Sequence, residues 1–202
     1  MLAPHTDDGE LGAGGFISRL IDGGSQVHYV AFSNAVESLP QGLPADTLQQ
    51  EMLAATAVLG VEPSNVSLRD YPVRRLNYHR QEILEDMIAL RNDLSPELVL
   101  LPSSADIHQD HQVISAEGRR AFKNVTVLGY ELVWNISEFM NNFYVGLTAE
   151  HMHRKCQSVA EYKSQNRRAY IEPEFIMSLA RVRGVQSNTE YAESFEAIRV
   201  FY

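Results

Sequence analysis

Apolar positions along the chain fall into two kinds of pattern: short β-branched runs, and longer stretches at helical spacing. In Gly14 to Ile21, Phe16, Ile17, Leu20 and Ile21 recur as on one helix face, and Gly23-Gly24 ends the pattern. Val27 to Phe32 follows as a β-rich run. Met1-Leu2-Ala3 reads as the tail of a strand whose earlier residues would lie upstream, because a core strand usually needs about five residues. The order strand, loop, helix, strand predicts a βαβ unit and a parallel sheet. Ser33 to Asp46, with Pro40, Gly42 and Pro44, reads as a loop. Thr47 to Leu59 is predicted as a helix stopped by Gly60, and Val66 to Leu68 as a short strand. Asp70 to Asn77 reads as loop and Tyr78 to Leu94 as a long amphipathic helix, with Pro96 in the turn after it.

Leu98 to Leu101 is apolar without interruption, as expected of a strand covered on both faces. Pro102-Ser103-Ser104 opens the next loop, and His111 to Phe122 is predicted as a helix. Val125 to Leu128 reads as a strand, Tyr130 to Trp134 as another or its extension, and Asn141 to Val145 as a short strand. Helices are predicted over Glu150 to Tyr162 and Glu174 to Arg183, and the mixed tail, Tyr191 to Phe201, ends in a short strand. No repeat, low-complexity tract or linker interrupts residues 1–202, so one domain is expected. The pattern points to an α/β fold, a three-layer α/β/α sandwich around a mostly parallel sheet.

Charge removes some function classes. The net charge is -9, which argues against nucleic-acid binding through clustered Lys and Arg. The basic pairs Arg74-Arg75, Arg119-Arg120 and Arg167-Arg168 do not extend into a stripe. Cys156 stands alone, so no internal disulfide or thiolate metal site is expected and a reducing, cytoplasmic setting fits. No apolar run approaches the ~20 residues of a membrane helix, and no signal peptide is visible. The sequons at Asn65, Asn124 and Asn135 are taken as chance.

Two loops carry candidate chemistry. The first reads Pro4-His5-Thr6-Asp7-Asp8-Gly9-Glu10-Leu11-Gly12-Ala13-Gly14-Gly15, and the second Asp106-Ile107-His108-Gln109-Asp110-His111. Both follow predicted parallel strands, and open α/β sheets bind ligands at the carboxyl ends of their strands. A catalytic zinc commonly takes three His, Asp or Glu ligands and keeps one open position. His5 and Asp8, three apart, could supply two ligands and His111 the third. Asp7 is then free to act as general base, and His108 could stabilise an oxyanion or protonate a leaving nitrogen. Asp110 could fix the tautomer and orientation of a histidine. The glycines suit a tight entry into the helix; a Gly-x-Gly-x-x-Gly dinucleotide loop fails because Ile17 stands at its third position.

Together these stretches resemble the LmbE-like, or PIG-L-type, zinc-dependent N-deacetylases, which carry a His-Pro-Asp-Asp-x-Glu-x-Gly-x-Gly-Gly motif and a later His-x-Asp-His motif. Tyr162-Lys163-Ser164-Gln165 and Tyr191-Ala192-Glu193-Ser194-Phe195 resemble two further family segments, so the resemblance spans nearly the whole chain. It implies an incomplete Rossmann-like α/β fold and hydrolysis of an N-acetyl group on an N-acetylglucosamine-type conjugate by attack of zinc-bound water. His5, Asp8 and His111 match the zinc ligands, Asp7 the general base, His108 the residue stabilising the tetrahedral intermediate, and Asp110 its orienting partner. Two histidines and a carboxylate would also hold Fe2+, cobalt or manganese. Compact members of the family often form symmetric homo-oligomers. Thr6 replaces the usual proline, and Gln49-Gln50-Glu51 stands where many members place a substrate-binding arginine; Arg74 or Arg75 is a candidate substitute. The alternatives are a metal-dependent hydrolase of another amide or acyl group and a non-catalytic sugar-binding protein.

Other residues have plainer readings. His28 is expected in the core or at a sheet edge, and His79, His151 and His153 on the surface. Trp134 is open to stacking on a sugar or to packing. Glu10 either orients its loop or faces water, and Cys156 packs on a helix.

Overall fold

A computed structural model describes residues 1–166 and 168–201; Arg167, one of the paired arginines noted above, lies outside the described residues, as does Tyr202. The chain runs β1 (Leu2–Ala3), α1 (Asp8–Asp22), β2 (Tyr29–Ala31), α2 (Thr47–Leu59), β3 (Val66–Leu68), α3 (Arg80–Leu94), β4 (Leu98–Pro102), α4 (Gln109–Ala121), β5 (Thr126–Tyr130), β6 (Phe143–Leu147), α5 (Ala149–Ala160), α6 (Pro173–Ser187) and β7 (Tyr191–Arg199). The strands form two hydrogen-bonded ribbons, β1-β2-β3 and β4-β5-β7-β6. β1 packs beside β4, so the ribbons meet there. Across the molecule the order is β3-β2-β1-β4-β5, parallel within each ribbon up to β5, then β7 and β6. This is the doubly wound order, with its switch point between β1 and β4.

Strand alternation sorts the core onto two faces. Leu2, Val30, Phe32, Val99, Leu101 and Val127 join Ile83, Met87 and Ile114 under α3 and α4. Ala3, Tyr29 and Ala31 pack with Ile17, Met52 and Leu59 of α1 and α2 on the other face. Leu100 and Leu128 join Phe16, Met152 and Ala180 of α1, α5 and α6 there. Gly60 closes α2 with φ +92, a left-handed position that favours glycine.

Three expectations are corrected. The tail is one nine-residue strand, β7, antiparallel to both β5 and β6. Its alternation is hidden by Glu193, Ser194 and Glu196, each of which finds a partner: Lys155, Glu131, and the pair Ser103 and Ser104. Helix α1 starts at Asp8, six residues before the apolar spacing begins, and breaks its helical geometry at Ala13. His151 is buried, because its ring completes a capping box with Thr148 and meets Asp22 at 3.1 Å. Among the described residues no helix is long and apolar enough to cross a membrane.

Candidate active site

The loop after β1 turns directly into α1. Asp7 sits at the N-cap and Asp8 begins the helix, where the partial positive charge of the first turn favours carboxylates. Asp8 Oδ2 accepts the His5 backbone N–H at 2.9 Å, which folds the loop back on itself. Beneath it, the Glu10 carboxyl is fully buried with the hydroxyls of Tyr29 (2.5 Å) and Tyr162 (3.1 Å). The same two hydroxyls reach the Thr6 carbonyl at 3.0 and 2.5 Å. Burial drives the Glu10 pKa up to about 8 against the pull of the Tyr29 hydroxyl. Glu10 therefore orients the loop and does not face water. Gly12 must be glycine, since a Cβ there would lie 2.3 Å from the Tyr130 ring.

The loop after β4 approaches from the neighbouring strand. His108 caps α4: its ring Nδ1 accepts the Asp110 backbone N–H at 3.2 Å. That bond fixes the neutral ring with its proton on Nε2. Burial and the nearby His111 charge lower the His108 pKa, favouring that neutral form. Asp106 takes the His108 N–H on Oδ1 at 2.8 Å and meets His111 Nδ1 with Oδ2, also at 2.8 Å.

The two loops converge on one triangle of donor atoms. His5 Nδ1 and Asp8 Oδ2 are 3.1 Å apart, and His111 Nε2 is 3.3 Å from each. Ligands on a tetrahedral ion with bonds of ~2.0–2.1 Å would be about 3.3 Å apart. These three atoms could therefore hold a divalent cation without rearrangement. The ring nitrogens of His5, His108 and His111 also lie within 4.8 Å of one another, but the Asp8 triangle is tighter. Burial opposes charge on both histidines of the triangle. The carboxylate of Asp8, joined by Asp110 at His5 and by Asp106 at His111, outweighs it and raises His5 to about 9 and His111 to about 10. The same histidines hold Asp8 well below the usual carboxylate range despite its burial. A cation on the three atoms would displace the ring protons.

Asp7 differs from its neighbour. Burial and the Asp8 charge raise its pKa, against the pull of His5 and Arg168. Asp110 carries a further correction. Its carboxylate meets His5 Nε2 at 3.0 Å, not the His108 ring, which it touches only through its backbone N–H. Asp110 also accepts the backbone N–H of Arg74 (2.5 Å) and of Leu76 (3.2 Å). Burial disfavours its charge, but His5 and these donors outweigh burial and lower its pKa. Arg74 is held at φ +64. That left-handed turn costs about 1–2 kcal/mol, which hydrogen bonds to a carboxylate, each worth about 1.5–3 kcal/mol, can offset.

Around the triangle lies a cleft of about 230 Å³, bounded by Leu48, Val73, Arg74, Trp134, Gln165, Arg168 and Tyr170 as well as the two loops. Trp134 stacks on Tyr170 at 3.9 Å and 10°, so it both packs and faces the cleft. Glu51 of α2 receives the Ser164 N–H and hydroxyl at 2.8 and 2.6 Å, anchoring the segment that carries Gln165 and Arg168. Of the two arginines offered as substitutes by the sequence, Arg74 borders the cleft. Sequence reasoning assigned no role to Asp106, Gln165 or Arg168. Asp106, five residues before His111 in the same loop, and Gln165, at the end of the family-like segment from Tyr162, carried a signal in the sequence; Arg168 carried none.

No curated protein matches the chain at a significant level. Among solved structures, a conserved protein of Thermus thermophilus is similar at TM-score 0.83 and 25% identity, covering 100% of this chain and 94% of that one. The N,N'-diacetylchitobiose deacetylase of Pyrococcus horikoshii is similar at TM-score 0.80 and 21% identity, with 96% and 81% covered. The 4-carboxy-2-hydroxymuconate hydratase of Pseudomonas putida KT2440 follows at TM-score 0.79 and 20% identity, with 100% and 96% covered. The family model for GlcNAc-PI de-N-acetylase, PIG-L, matches residues 1–122, a span that holds both loops of the donor triangle, and the chain belongs to that family.

Proposed function

We propose that this protein is a metal-dependent N-deacetylase that hydrolyses the N-acetyl group of an N-acetylglucosamine-type conjugate. The observation that carries the reading is the donor triangle His5, Asp8 and His111, with the carboxylate of Asp7 beside it. Family membership and the deacetylase among the structural neighbours support a hydrolase of this type.

His5, Asp8 and His111 would hold the cation, Zn2+ or another divalent transition metal such as Fe2+. When bound, it would supply Lewis acidity that polarises a carbonyl and acidifies water. Asp110 and Asp106 engage the far nitrogens of His5 and His111 and so keep the near nitrogens turned to Asp8. Asp7, next to Asp8 on the rim of the cleft, takes the proton of the attacking water. His108, with its proton on Nε2, donates to the developing oxyanion. The proton held by Asp7 then goes to the leaving nitrogen. The cytoplasm is the setting this reading assumes.

The test is acetate release from N-acetylglucosamine, nucleotide-linked N-acetylglucosamine and short chitin oligomers, with added metal and with chelator. Chelator-sensitive release is expected, with Asp7→Asn losing roughly 10²–10⁴-fold in kcat at unchanged metal content. Silence across the panel from fully metallated protein would overturn the N-acetyl reading. The hydratase among the neighbours motivates a second reading, in which the same centre adds water to another small molecule. The panel separates the two, because hydration releases no acetate.

A further inference from the structure

The cleft is bordered by two arginines to which the chemistry above gives no role. Arg74 reaches it from the turn after β3, and Arg168 from the segment after Gln165. Several other arginines pair with carboxylates: Arg80 and Arg120 with Glu117, Arg183 with Glu131, Arg154 with Asp22 and Arg69 with Asp86; Arg75 and Arg119 are exposed and border no cleft with the donor triangle. Others are tied to backbone carbonyls, as Arg91 is to Ala121 and Arg199 to Phe122. Among the described residues neither Arg74 nor Arg168 has a carboxylate within ion-pair distance; the contact of Arg168 is the neutral Tyr170 hydroxyl. In a chain of net charge -9, acidic partners are not scarce. What sets these two apart from Arg75 and Arg119 is their shared place on the cleft, where Arg168 also acts on Asp7 from a distance; two cations without an ion pair there suit an anionic ligand.

The backbone of Arg74 strengthens the case. It is fixed by the Asp110 carboxylate in a left-handed turn, between the buried Val73 and Leu76. A pinned backbone below an unpaired head group presents charge to the cleft at little further entropic cost. The planar guanidinium fork matches carboxylate and phosphate oxygens.

We propose that Arg74 and Arg168 form an anion-binding subsite beside the donor triangle, so that the amino-sugar substrate carries a carboxylate or a phosphate. This rests on the N-deacetylase reading for the identity of the substrate, but the subsite itself can be tested without turnover.

Metal-loaded protein would be titrated calorimetrically with inorganic phosphate and with succinate. Arg74→Gln and Arg168→Gln are each expected to raise the dissociation constant about tenfold or more. Comparison at equal measured metal content removes any anion held by the metal. Unchanged binding in both variants overturns the subsite. In parallel, kcat/KM for acetate release would be compared between N-acetylglucosamine 1-phosphate, an N-acetylglucosamine glycoside of a hydroxycarboxylic acid, and the neutral methyl glycoside. The anionic-to-neutral ratio should exceed about ten in the wild type and fall towards one in Arg74→Gln, through KM, and also with added salt. A wild-type ratio near one overturns the anionic-substrate inference and leaves N-deacetylation standing. Arginine-dependent anion binding without acetate release from any compound does the reverse. The better of the two anionic compounds tells phosphate from carboxylate.

Discussion

Asp106 and Asp110 each grip one histidine ring by the nitrogen that faces away from Asp8. The donors are thereby oriented before any ligand arrives, and the arrangement should matter most for affinity. Asp106→Ala is expected to weaken metal binding about 10–100-fold, read by competition with a chromophoric chelator. Unchanged affinity would mean that packing alone holds His111. Glu10 makes a separate prediction about pH. Its carboxyl moves from an ordinary value of 4.5 to about 8 on folding. Between these values the folded state binds the extra proton. The contribution of Glu10 to stability is then whole below about 4.5 and lost as pH rises through about 8. Glu10→Gln keeps the shape and cannot ionise. It should flatten this limb of the Tm-against-pH curve in chelated protein; an unaltered slope would assign the dependence to other groups.

At the scale of elements, α1 is the piece that local pattern describes least well. Its apolar spacing begins at Gly14, yet its first turn carries Asp8 and Glu10 and its geometry breaks at Ala13. Past the break, the backbone N–H groups of Gly15 and Phe16 lack the usual helical continuity and turn to Glu193 of β7, at 2.9 and 2.7 Å. Lys155 of α5 meets the same carboxylate at 2.6 Å, with both side chains buried. One side chain thus ties α1, α5 and β7 together. Glu193→Ala would strand a buried ammonium and two backbone donors, and should cost about 3–5 kcal/mol in urea unfolding. A loss below about 1 kcal/mol would mean that water replaces the carboxylate. The sequence shows Glu193 only as a polar interruption of a strand, because its partners lie 38 residues back on α5 and 178 back on α1.

For the whole molecule, the donor triangle lies where β1 and β4 meet, and a bound cation would join the two halves of the fold. Metal at about a hundred times its dissociation constant should stabilise the native state by about 2.7 kcal/mol. For a chain of this size, chelation should lower Tm by about 5–10 °C. An unchanged Tm in protein shown to lose metal would mean that the site is held rigid by its own hydrogen bonds.

The kinds of donor, their spacing within each loop and the strand before each loop are local properties, legible in the order of residues. So is the two-sided burial of Val99 to Leu101, since an unbroken apolar run leaves no face for water. The meeting of His5 with Asp110, 105 positions away, depends on β1 and β4 lying side by side. That Asp110 turns to His5 and Asp106 to His111 depends on ring orientation, which spacing does not encode. Arg74 and Arg168 look like ordinary surface arginines in the chain. Their place on one cleft follows from a left-handed turn pinned by Asp110 and a segment anchored by Glu51, contacts that exist only once distant elements have packed.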